Sequence, residues 1–290
     1  MTAGSAAQRS AGPLELRTGT GKGARSSAEE LAELIRSSER VVALTGAGIS
    51  VPSGIPDFRS PGTGLWEKVD PMQVASIDAF HRDTKAFWEF YRPRFAMLAD
   101  RQPNGAHLAL AELENRGMLE AVITQNIDRL HGAAGSERVI EVHGTVASSS
   151  CTSCGASWLL EEIEALFEED GVATCSGCCG KVKPDVVLFG ELLPEAAMAE
   201  ARQLAESAEL MLCIGSSLEV FPVAGLPELT LAGGGKLAVI TQGPTPYDQD
   251  AVLRLSGDVV EELESTLAAL AGRASVTGAD QARAGADQLS

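Results

Sequence analysis

Short runs of apolar residues, several of them β-branched, alternate along this chain with segments of helical periodicity. Such runs are typical of strands buried on both faces of a parallel sheet. They predict strands at 41–44, 119–124, 139–142, 186–189, 210–214 and 237–240. Helical periodicity predicts helices at 26–36, 107–114, 195–205 and 259–271. Because strands and helices alternate, we expect an α/β fold with a Rossmann-like, doubly wound parallel sheet.

Two segments interrupt this alternation. Residues 61–102 hold aromatic-rich helical stretches, and residues 148–183 hold most of the cysteines. We expect them to form a helical module and a zinc-binding module, which together make up a small inserted domain. The Rossmann-like domain is then expected to comprise 26–60, 103–147 and 184–271.

Both ends of the chain, 1–25 and 272–290, are rich in small and polar residues, and we expect disordered extensions there. For residues 1–25, which lack the apolar stretch of a secretory signal, a transit peptide is the alternative.

Composition and net charge restrict the kinds of partner that we expect this protein to bind. The 290 residues are 44% hydrophobic and carry a formal net charge of −17. No apolar run reaches the roughly 18–20 residues of a membrane span, so we expect a cytoplasmic protein without a membrane partner. The negative charge disfavours direct nucleic-acid binding, because phosphate backbones need a basic surface. It favours cationic partners such as lysine-bearing segments, although solubility alone also accounts for it. We expect a monomer.

The strand at 41–44 leads into a Gly-Ala-Gly turn at 46–48. Two glycines let the backbone turn tightly and let an anion approach bare N–H groups. The usual dinucleotide fingerprint would place a third glycine at position 51, which is a valine, and Pro52 disfavours a helix that starts at Ser50. The continuation at 54–59 supplies a proline, a carboxylate, an aromatic ring and a guanidinium, and this combination predicts a lid over a nucleotide.

Two Cys-x-x-Cys pairs, twenty residues apart, have the spacing of a four-thiolate zinc site. The four residues are Cys151, Cys154, Cys175 and Cys178. Disulfide pairing is the weaker alternative, since the chain lacks a signal peptide. Four thiolates leave no open coordination position, so the zinc would be structural. Cys179 is an adjacent thiol that could compete for the metal, and Cys213 is interpreted as a small buried hydrophobe.

Polar side chains follow two of the predicted strands. Gln125, Asn126 and Asp128 come directly after the strand at 119–124, and His143 follows the strand at 139–142. In an open α/β sheet, ligands bind at the carboxyl ends of the strands. A helix cap would explain one of the three polar residues but not all of them. His143 is a candidate general base near pH 7. The remaining histidines are weaker candidates, because they fall in or beside predicted helices: His81, His107 and His131.

In these motifs the chain resembles the sirtuin family of NAD-dependent protein deacylases. The matching segments are 46–50, 54–59, 124–128, 142–144, the four cysteines, 189–191 and 215–218. They extend over about residues 28–270. The resemblance implies a Rossmann-type NAD domain and a small zinc-and-helix domain, with one structural Zn²⁺ and with substrates that meet in the cleft between the domains.

The resemblance also assigns residues to NAD. Those implied to bind it are Gly46, Ala47, Gly48, Ser50, Asp57, Phe58, Arg59, Gln125, Asn126, Ile127, Asp128, Gly215, Ser216, Ser217 and Thr241. Within this set, Asn126 and Asp128 would bracket the nicotinamide and its ribose, and Phe58 would shield the reactive carbon from water.

The catalytic residues implied by the resemblance are His143 and Asn126. The acyl-lysine carbonyl oxygen would attack C1′ of the ribose and expel nicotinamide, and His143 would then act as general base on a ribose hydroxyl. NAD would be consumed, leaving free lysine, nicotinamide and 2′-O-acyl-ADP-ribose.

Family sirtuins take the substrate backbone as an added strand between two edges, which correspond here to 187–191 and 219–221. Val187, Phe189, Gly190 and Val220 would line the site for the acyl-lysine, although ordinary core packing is the alternative for the apolar side chains. Acetyl-lysine is the expected substrate, because the segment 60–66 resembles the deacetylase class.

Other activities are weighed against deacetylation. Tyr91 and Arg94 resemble the Tyr-x-x-Arg pair that binds the carboxylate of succinyl- or malonyl-lysine in one sirtuin class, so desuccinylation is an alternative. Protein ADP-ribosylation is another, because it shares nicotinamide cleavage. A hydride-transferring dehydrogenase lacks support from the glycine spacing, and a zinc-ribbon binding module would leave His143 and the 125–128 cluster unexplained.

Two positions depart from the family pattern. Thr241 stands where an Asn usually contacts the adenosine ribose, and we therefore expect a lower affinity for the cofactor. Cys179 stands where a Gly usually follows the fourth zinc ligand.

Overall fold

The structure, a computed structural model, describes residues 26–57 and 69–284, with side chains as far as 272. Several sequence predictions fall on residues outside this range. They are the extension at 1–25, the residues Phe58 and Arg59, the whole segment 60–66 with its neighbours up to 68, and the end of the predicted tail at 285–290.

Two sheets organise the described residues. The strands are β1 Val41–Thr45, β2 Ala121–Thr124, β3 Val139–Glu141, β4 Gly144–Cys151, β5 Ser157–Leu159, β6 Val182–Val186, β7 Leu210–Ile214, β8 Lys236–Ile240 and β9 Leu253–Leu255. The larger sheet is parallel, with the order β3-β2-β1-β7-β8-β9, and the smaller one has the order β5-β4-β6. The Rossmann-like parallel sheet expected from the sequence is thus confirmed.

Helices cover both faces of the larger sheet. The helices are α1 Ser27–Arg36, α2 Pro71–Val74, α3 Ile77–Arg82, α4 Thr84–Ala99, α5 Gly105–Asn115, α6 Leu130–Ala133, α7 Glu195–Ser207, α8 Leu226–Ala232 and α9 Val259–Ala284. Alternate residues of β1 enter opposite cores: Val41 and Ala43 pack with α1, α5 and α9, whereas Val42 and Leu44 pack with α7 and α8. Every residue of β1 is therefore buried.

A third core joins the two segments that interrupt the alternation. Phe80 and Trp88, from α3 and α4, pack with Val146, Cys151 and other residues of the smaller sheet. The Trp88 indole Nε1 also donates to the Val182 carbonyl at 3.2 Å. The helical segment and the cysteine-rich segment thus share one hydrophobic core, as expected for a small domain made from both.

The strand predicted at 186–189 is wrong in position. The observed strand is β6, Val182–Val186, which lies at the edge of the smaller sheet. Pro184 obscured it, because a residue without an N–H disfavours a central strand but is tolerated on an edge. Beyond β6, Phe189 forms an isolated parallel bridge with Ser76.

Two helical predictions also differ from the structure. A 3₁₀ helix, Ala47–Ser53, runs through Pro52, since the fixed φ of proline is compatible with helical turns. The helix expected to end at 271 continues to Ala284, into the segment expected to be a disordered tail. That continuation is rich in alanine, a strong helix former. Among the described helices, none has the length and apolar character needed to cross a bilayer.

Candidate active site

The register of the larger sheet brings the predicted motifs to one edge. Thr45 lies opposite both Thr124 and Ile214, and Ile214 lies opposite Ile240. The residues that follow these four strand ends, 46, 125, 215 and 241, therefore emerge side by side at the carboxyl edge of the sheet. This is the edge at which parallel α/β sheets bind ligands.

The glycine turn packs directly on the end of β7. The Gly48 N–H donates to the Gly215 carbonyl at 2.8 Å, and a Cβ on Gly48 would lie 2.7 Å from that oxygen. Gly215 has φ +61°, and a Cβ there would lie 2.3 Å from the Ile49 nitrogen. Both positions require glycine for close approach rather than for flexibility alone. The turn is therefore held in a fixed position against Gly215.

Asn126 is held by contacts on two sides. Its side-chain Nδ2 donates to the Gly46 carbonyl and to Ser50 Oγ, each at 3.1 Å. Its backbone N–H donates to Thr124 Oγ1 at 3.1 Å. Since both Nδ2 hydrogens are used within the protein, the side-chain oxygen Oδ1 is the group available to a ligand.

Ser50 connects Asn126 to Asp128. Its hydroxyl donates to Asp128 Oδ2 at 2.6 Å, and the other carboxylate oxygen accepts from the Leu130 N–H at 2.9 Å. Ser50 and Asp128 are both buried. A buried carboxylate with hydrogen bonds to both oxygens is fixed in orientation. Three of the residues assigned to NAD by the resemblance thus form one hydrogen-bonded group.

Two buried histidines support this group, although the sequence prediction ranked them low. His107 Nε2 lies 3.4 Å from Ser50 Oγ, and His131 Nε2 lies 2.9 Å from Thr45 Oγ1. Their ring centroids are 4.9 Å apart. Burial lowers the pKa of His107 to about 4 and that of His131 to about 3, so both rings are neutral at pH 7.

One sequence signal could have identified His107. It precedes Leu110 by three residues on the predicted helix, and so shares its buried face. A histidine on such a face needs a buried hydrogen-bond partner, which here is Ser50.

His143 lies between the two sheets, just after β3 and directly before β4. Its Nδ1 is 3.0 Å from the Gln125 carbonyl oxygen. Because a carbonyl only accepts, Nδ1 carries the proton of the neutral ring, and Nε2 keeps a free lone pair. Desolvation lowers the pKa of His143, against the opposing effect of the hydrogen bond to Gln125. The ring is therefore suited to accept a proton at neutral pH.

The remaining residues at this edge continue toward β8. Gln125 Nε2 donates to Ser216 Oγ at 2.9 Å, and the same hydroxyl accepts from the Leu218 N–H at 3.2 Å. Thr241 follows β8 and donates its N–H to the Leu255 carbonyl. Ala47, Asp57, Ile127 and Ser217 are all partly exposed and lie in or beside the motifs already described.

A cleft of about 930 Å³ lies between the small domain and this edge. Asn126 and Asp128 line it together with Trp88 and Phe167 of the small domain. Among the described residues, Tyr91 and Arg94 do not line it, and neither do His143 or the turn at 46–48.

Tyr91 and Arg94 are engaged elsewhere. Tyr91 stacks between Phe87 and Phe95, at centroid distances of 4.6 and 5.3 Å. Arg94 donates to the Phe90 carbonyl, and its guanidinium carbon lies 3.5 Å from the centroid of the Phe90 ring. The pair therefore has contacts that do not involve a ligand.

The residues predicted to contact the peptide follow His143 in the sequence, and one of them is hydrogen-bonded to it. Val187 donates its N–H to the His143 carbonyl at 2.8 Å. Phe189 is 41% exposed, and Gly190 has φ +91°. Val220, on the other predicted edge, is partly exposed and accepts the Ala224 N–H.

The four predicted zinc ligands come together. Their sulfur atoms all lie within 4.8 Å of one another, with 3.5 Å between Cys151 and Cys178 and 3.7 Å between Cys154 and Cys175. Thiolates at about 2.3 Å from a tetrahedral Zn²⁺ would be roughly 3.8 Å apart, so the donor set fits this metal.

The two other cysteines lie outside this group. Cys179 is exposed and has φ +59°, the left-handed conformation that favours the glycine of the family pattern. Cys213 is buried in β7, as expected of a small hydrophobe.

The comparisons with known proteins agree with this geometry. The model of the Sir2 family matches residues 46–222. The chain belongs to the Sir2 family. A relative from Thermotoga maritima, named NAD-dependent protein deacetylase, is 44% identical over 233 residues, which are 80% of this chain and 94% of the relative. One from Sulfolobus acidocaldarius with the same name is 48% identical over 229 residues, or 78% and 89% of the two chains.

Solved structures of the family show the same fold. A structure of Sir2 bound to an acetylated peptide has a TM-score of 0.76 and 42% identity, and the match covers 81% of this chain and 95% of that one. A structure described as Sir2 with a p53 peptide and NAD⁺ has a TM-score of 0.75 and 42% identity, with the same coverage.

Proposed function

We propose that this chain is an NAD-dependent protein lysine deacetylase, which yields nicotinamide, free lysine and 2′-O-acetyl-ADP-ribose. Membership of the Sir2 family supports the activity, as do relatives named NAD-dependent protein deacetylase. The single observation that carries the proposal is the convergence of His143, Asn126 and the glycine turn on one sheet edge. His143 is tied to the turn through Gln125, whose N–H donates to the Thr45 carbonyl at 3.0 Å.

The residues at the edge fit a dinucleotide. The turn at 46–48 with Ser50 would hold the phosphate side, and Ser216, Ser217 and Thr241 would hold the adenosine side. When bound, NAD supplies the glycosidic bond whose cleavage accompanies acyl transfer. The Oδ1 atom of Asn126 would accept from a ribose hydroxyl, since its Nδ2 hydrogens are committed to Gly46 and Ser50.

His143 would act as general base through Nε2. The Gln125 carbonyl fixes the tautomer, and burial keeps the ring neutral at pH 7. Asp128 would contribute a fixed carboxylate beside Asn126, with its orientation set by Ser50.

The substrates proposed are proteins that carry acetyl-lysine, bound along 187–191 and 219–221. The net charge of −17 supports basic protein segments as partners rather than nucleic acid. A cytoplasmic location and a monomeric state stay predictions.

Acetyl-lysine is favoured over succinyl-lysine by the surroundings of Tyr91 and Arg94. A carboxylate-binding pair should offer a free hydroxyl and a free guanidinium fork. Here Tyr91 packs in an aromatic cluster and Arg94 is held over Phe90. Desuccinylation would require the Arg94 guanidinium to leave its contacts with Phe90.

The direct test compares wild type with His143→Ala on NAD and an acetyl-lysine peptide. Loss of a general base lowers turnover by roughly 10²–10⁴-fold. The matched control is His81→Ala, which removes an exposed imidazole of α3 and should leave turnover unchanged. Equal turnover by His143→Ala and wild type would contradict the assignment of the base.

A further inference from the structure

We propose that Lys183 and Glu191 act as a positioning pair that holds the peptide-binding segment 187–190 beside His143 and so sets the affinity for acyl-lysine peptides. The inference rests on the proposed function. It assigns a role to two residues outside the predicted catalytic and NAD-binding sets.

Lys183 reaches out of β6 to the start of this segment. Its Nζ lies 3.0 Å from the Pro184 carbonyl, 2.9 Å from the Val186 carbonyl and 3.0 Å from Glu191 Oε2. An ammonium has three N–H donors, and these three acceptors match them in number. The Lys183 ammonium thereby contacts both ends of the turn by which the chain leaves the smaller sheet.

Glu191 follows the segment directly and is hydrogen-bonded back to its middle. The same oxygen, Oε2, accepts from the Leu188 N–H at 2.9 Å, and the Glu191 N–H donates to the Leu188 carbonyl at 3.0 Å. The carboxylate thus binds the lysine and the middle of the segment at once. The left-handed φ of Gly190 permits this reversal of the chain.

The segment held in this way connects three parts of the molecule. Val187 donates to the His143 carbonyl at 2.8 Å. Phe189 donates to the Ala75 carbonyl at 2.9 Å and accepts from the Ile77 N–H at 3.0 Å. A shift of the segment would therefore move its edge relative both to the catalytic histidine and to the helical part of the small domain.

Burial makes this pair different from the surface ion pairs of the chain. The side chains of Lys183 and Glu191 are 15% and 25% exposed, whereas those of Lys85 and Glu89, 3.9 Å apart, are 57% and 64% exposed. Removal of one partner from a largely buried pair leaves the other charge without compensation, so the local structure has to change. Removal of a partner at the surface has little effect.

The affinities for the peptide and for NAD are measured separately, with the zinc-loaded full chain. Peptide affinity is measured by fluorescence anisotropy of a labelled acetyl-lysine peptide, and NAD affinity by calorimetry. Lys183→Met should raise the peptide Kd at least tenfold and leave the Kd for NAD within twofold. Lys183→Arg, which keeps the charge, should restore most of the peptide affinity. Lys85→Met is the matched control and should change neither constant.

Glu191→Gln provides a second variant if Lys183→Met does not fold. The Gln amide oxygen can still accept from Leu188, but the charge opposite Lys183 is lost, so peptide affinity should again fall while NAD affinity stays. An unchanged peptide Kd in the folded variant would overturn the inference, as would an equal loss of NAD affinity. Failure of wild type to turn over the peptide with NAD would instead contradict the proposed function.

Discussion

The buried histidines His107 and His131 show how single side chains support the site without being predicted to contact a ligand. His107 contacts the serine that orients Asp128, and His131 contacts Thr45, whose hydroxyl bonds to Thr124 at 2.9 Å. Thr124 in turn accepts the Asn126 N–H. The two imidazoles thus contact the hydrogen-bond network that orients Asn126 and Asp128. This arrangement depends on both rings being neutral.

This arrangement predicts an acid-sensitive fold. The pKa values of about 4 and about 3 lie below the ordinary value of 6.5, so the unfolded chain binds protons that the folded chain excludes. The stabilisation is present in full above pH 6.5 and is lost as the pH falls toward 4. Each histidine should contribute about 1.4 kcal/mol per pH unit to the decrease in the free energy of unfolding.

Urea unfolding of the zinc-loaded protein at pH 7.5 and pH 5.5 measures this decrease. His131→Asn should reduce the decrease by about 1.4 kcal/mol, and His81→Asn, at an exposed site, should leave it unchanged. The same decrease in wild type and His131→Asn would show that His131 titrates normally in the folded state.

Site residues that follow strands were easier to predict from the sequence than site residues on helices. Asn126, Asp128 and His143 were predicted to share an edge because each follows an apolar strand, and the structure places them there. His107 and His131 were ranked low because a helical position alone does not show which side chain reaches the sheet edge. That information depends on how α5 and α6 pack, which periodicity does not specify.

The zinc-binding segment contributes cysteines to the hydrophobic core of the small domain. Cys151 ends β4, and Cys175 lies between β5 and β6. Both are buried in the core that contains Phe80 and Trp88. The metal would therefore join the two halves of the segment beneath the helical part of the domain, and its role would be structural.

Removal of zinc should unfold the small domain and leave the larger sheet. The tryptophans that the structure describes, Trp88 and Trp158, both pack in the small-domain core and report on it. A chelator should shift their emission to longer wavelength and abolish peptide turnover, while much of the far-UV circular dichroism persists. Cys154→Ser should have the same effect.

Cys179→Gly is the matched control for that experiment. This variant removes a thiol next to the zinc ligand Cys178. Residue 179 already has the left-handed conformation that glycine adopts freely. Zinc content and tryptophan emission should stay as in wild type. Zinc removal without any change in emission would contradict a structural role for the metal.

Element positions were predictable where apolar runs were continuous. β7 matches its predicted range, and β1 and β8 extend one residue beyond theirs. β6 was misplaced because its sequence, Val-Lys-Pro-Asp-Val, lacks a continuous apolar run. Strands of a small edge sheet carry polar residues on one face and give a weaker signal than strands buried on both faces.

In the whole molecule, the residues proposed to be catalytic lie where the larger sheet meets the small domain. His143 stands in the short connection from β3 of the larger sheet to β4 of the smaller one. Asn126 and Asp128, from the larger sheet, line the cleft whose other wall belongs to the small domain. An acyl-lysine bound between the domains would have to reach both sets of residues, so we expect neither domain alone to carry the proposed activity.

The stoichiometry of the reaction distinguishes NAD-dependent deacetylation from the alternative activities. Wild-type protein, NAD and an acetyl-lysine peptide are incubated, and the products are quantified by mass spectrometry. We expect one nicotinamide and one acetyl-ADP-ribose for each lysine deacetylated, with no turnover when NAD is omitted. Free acetate formed without loss of NAD, or ADP-ribose attached to the protein acceptor in place of deacetylation, would contradict it.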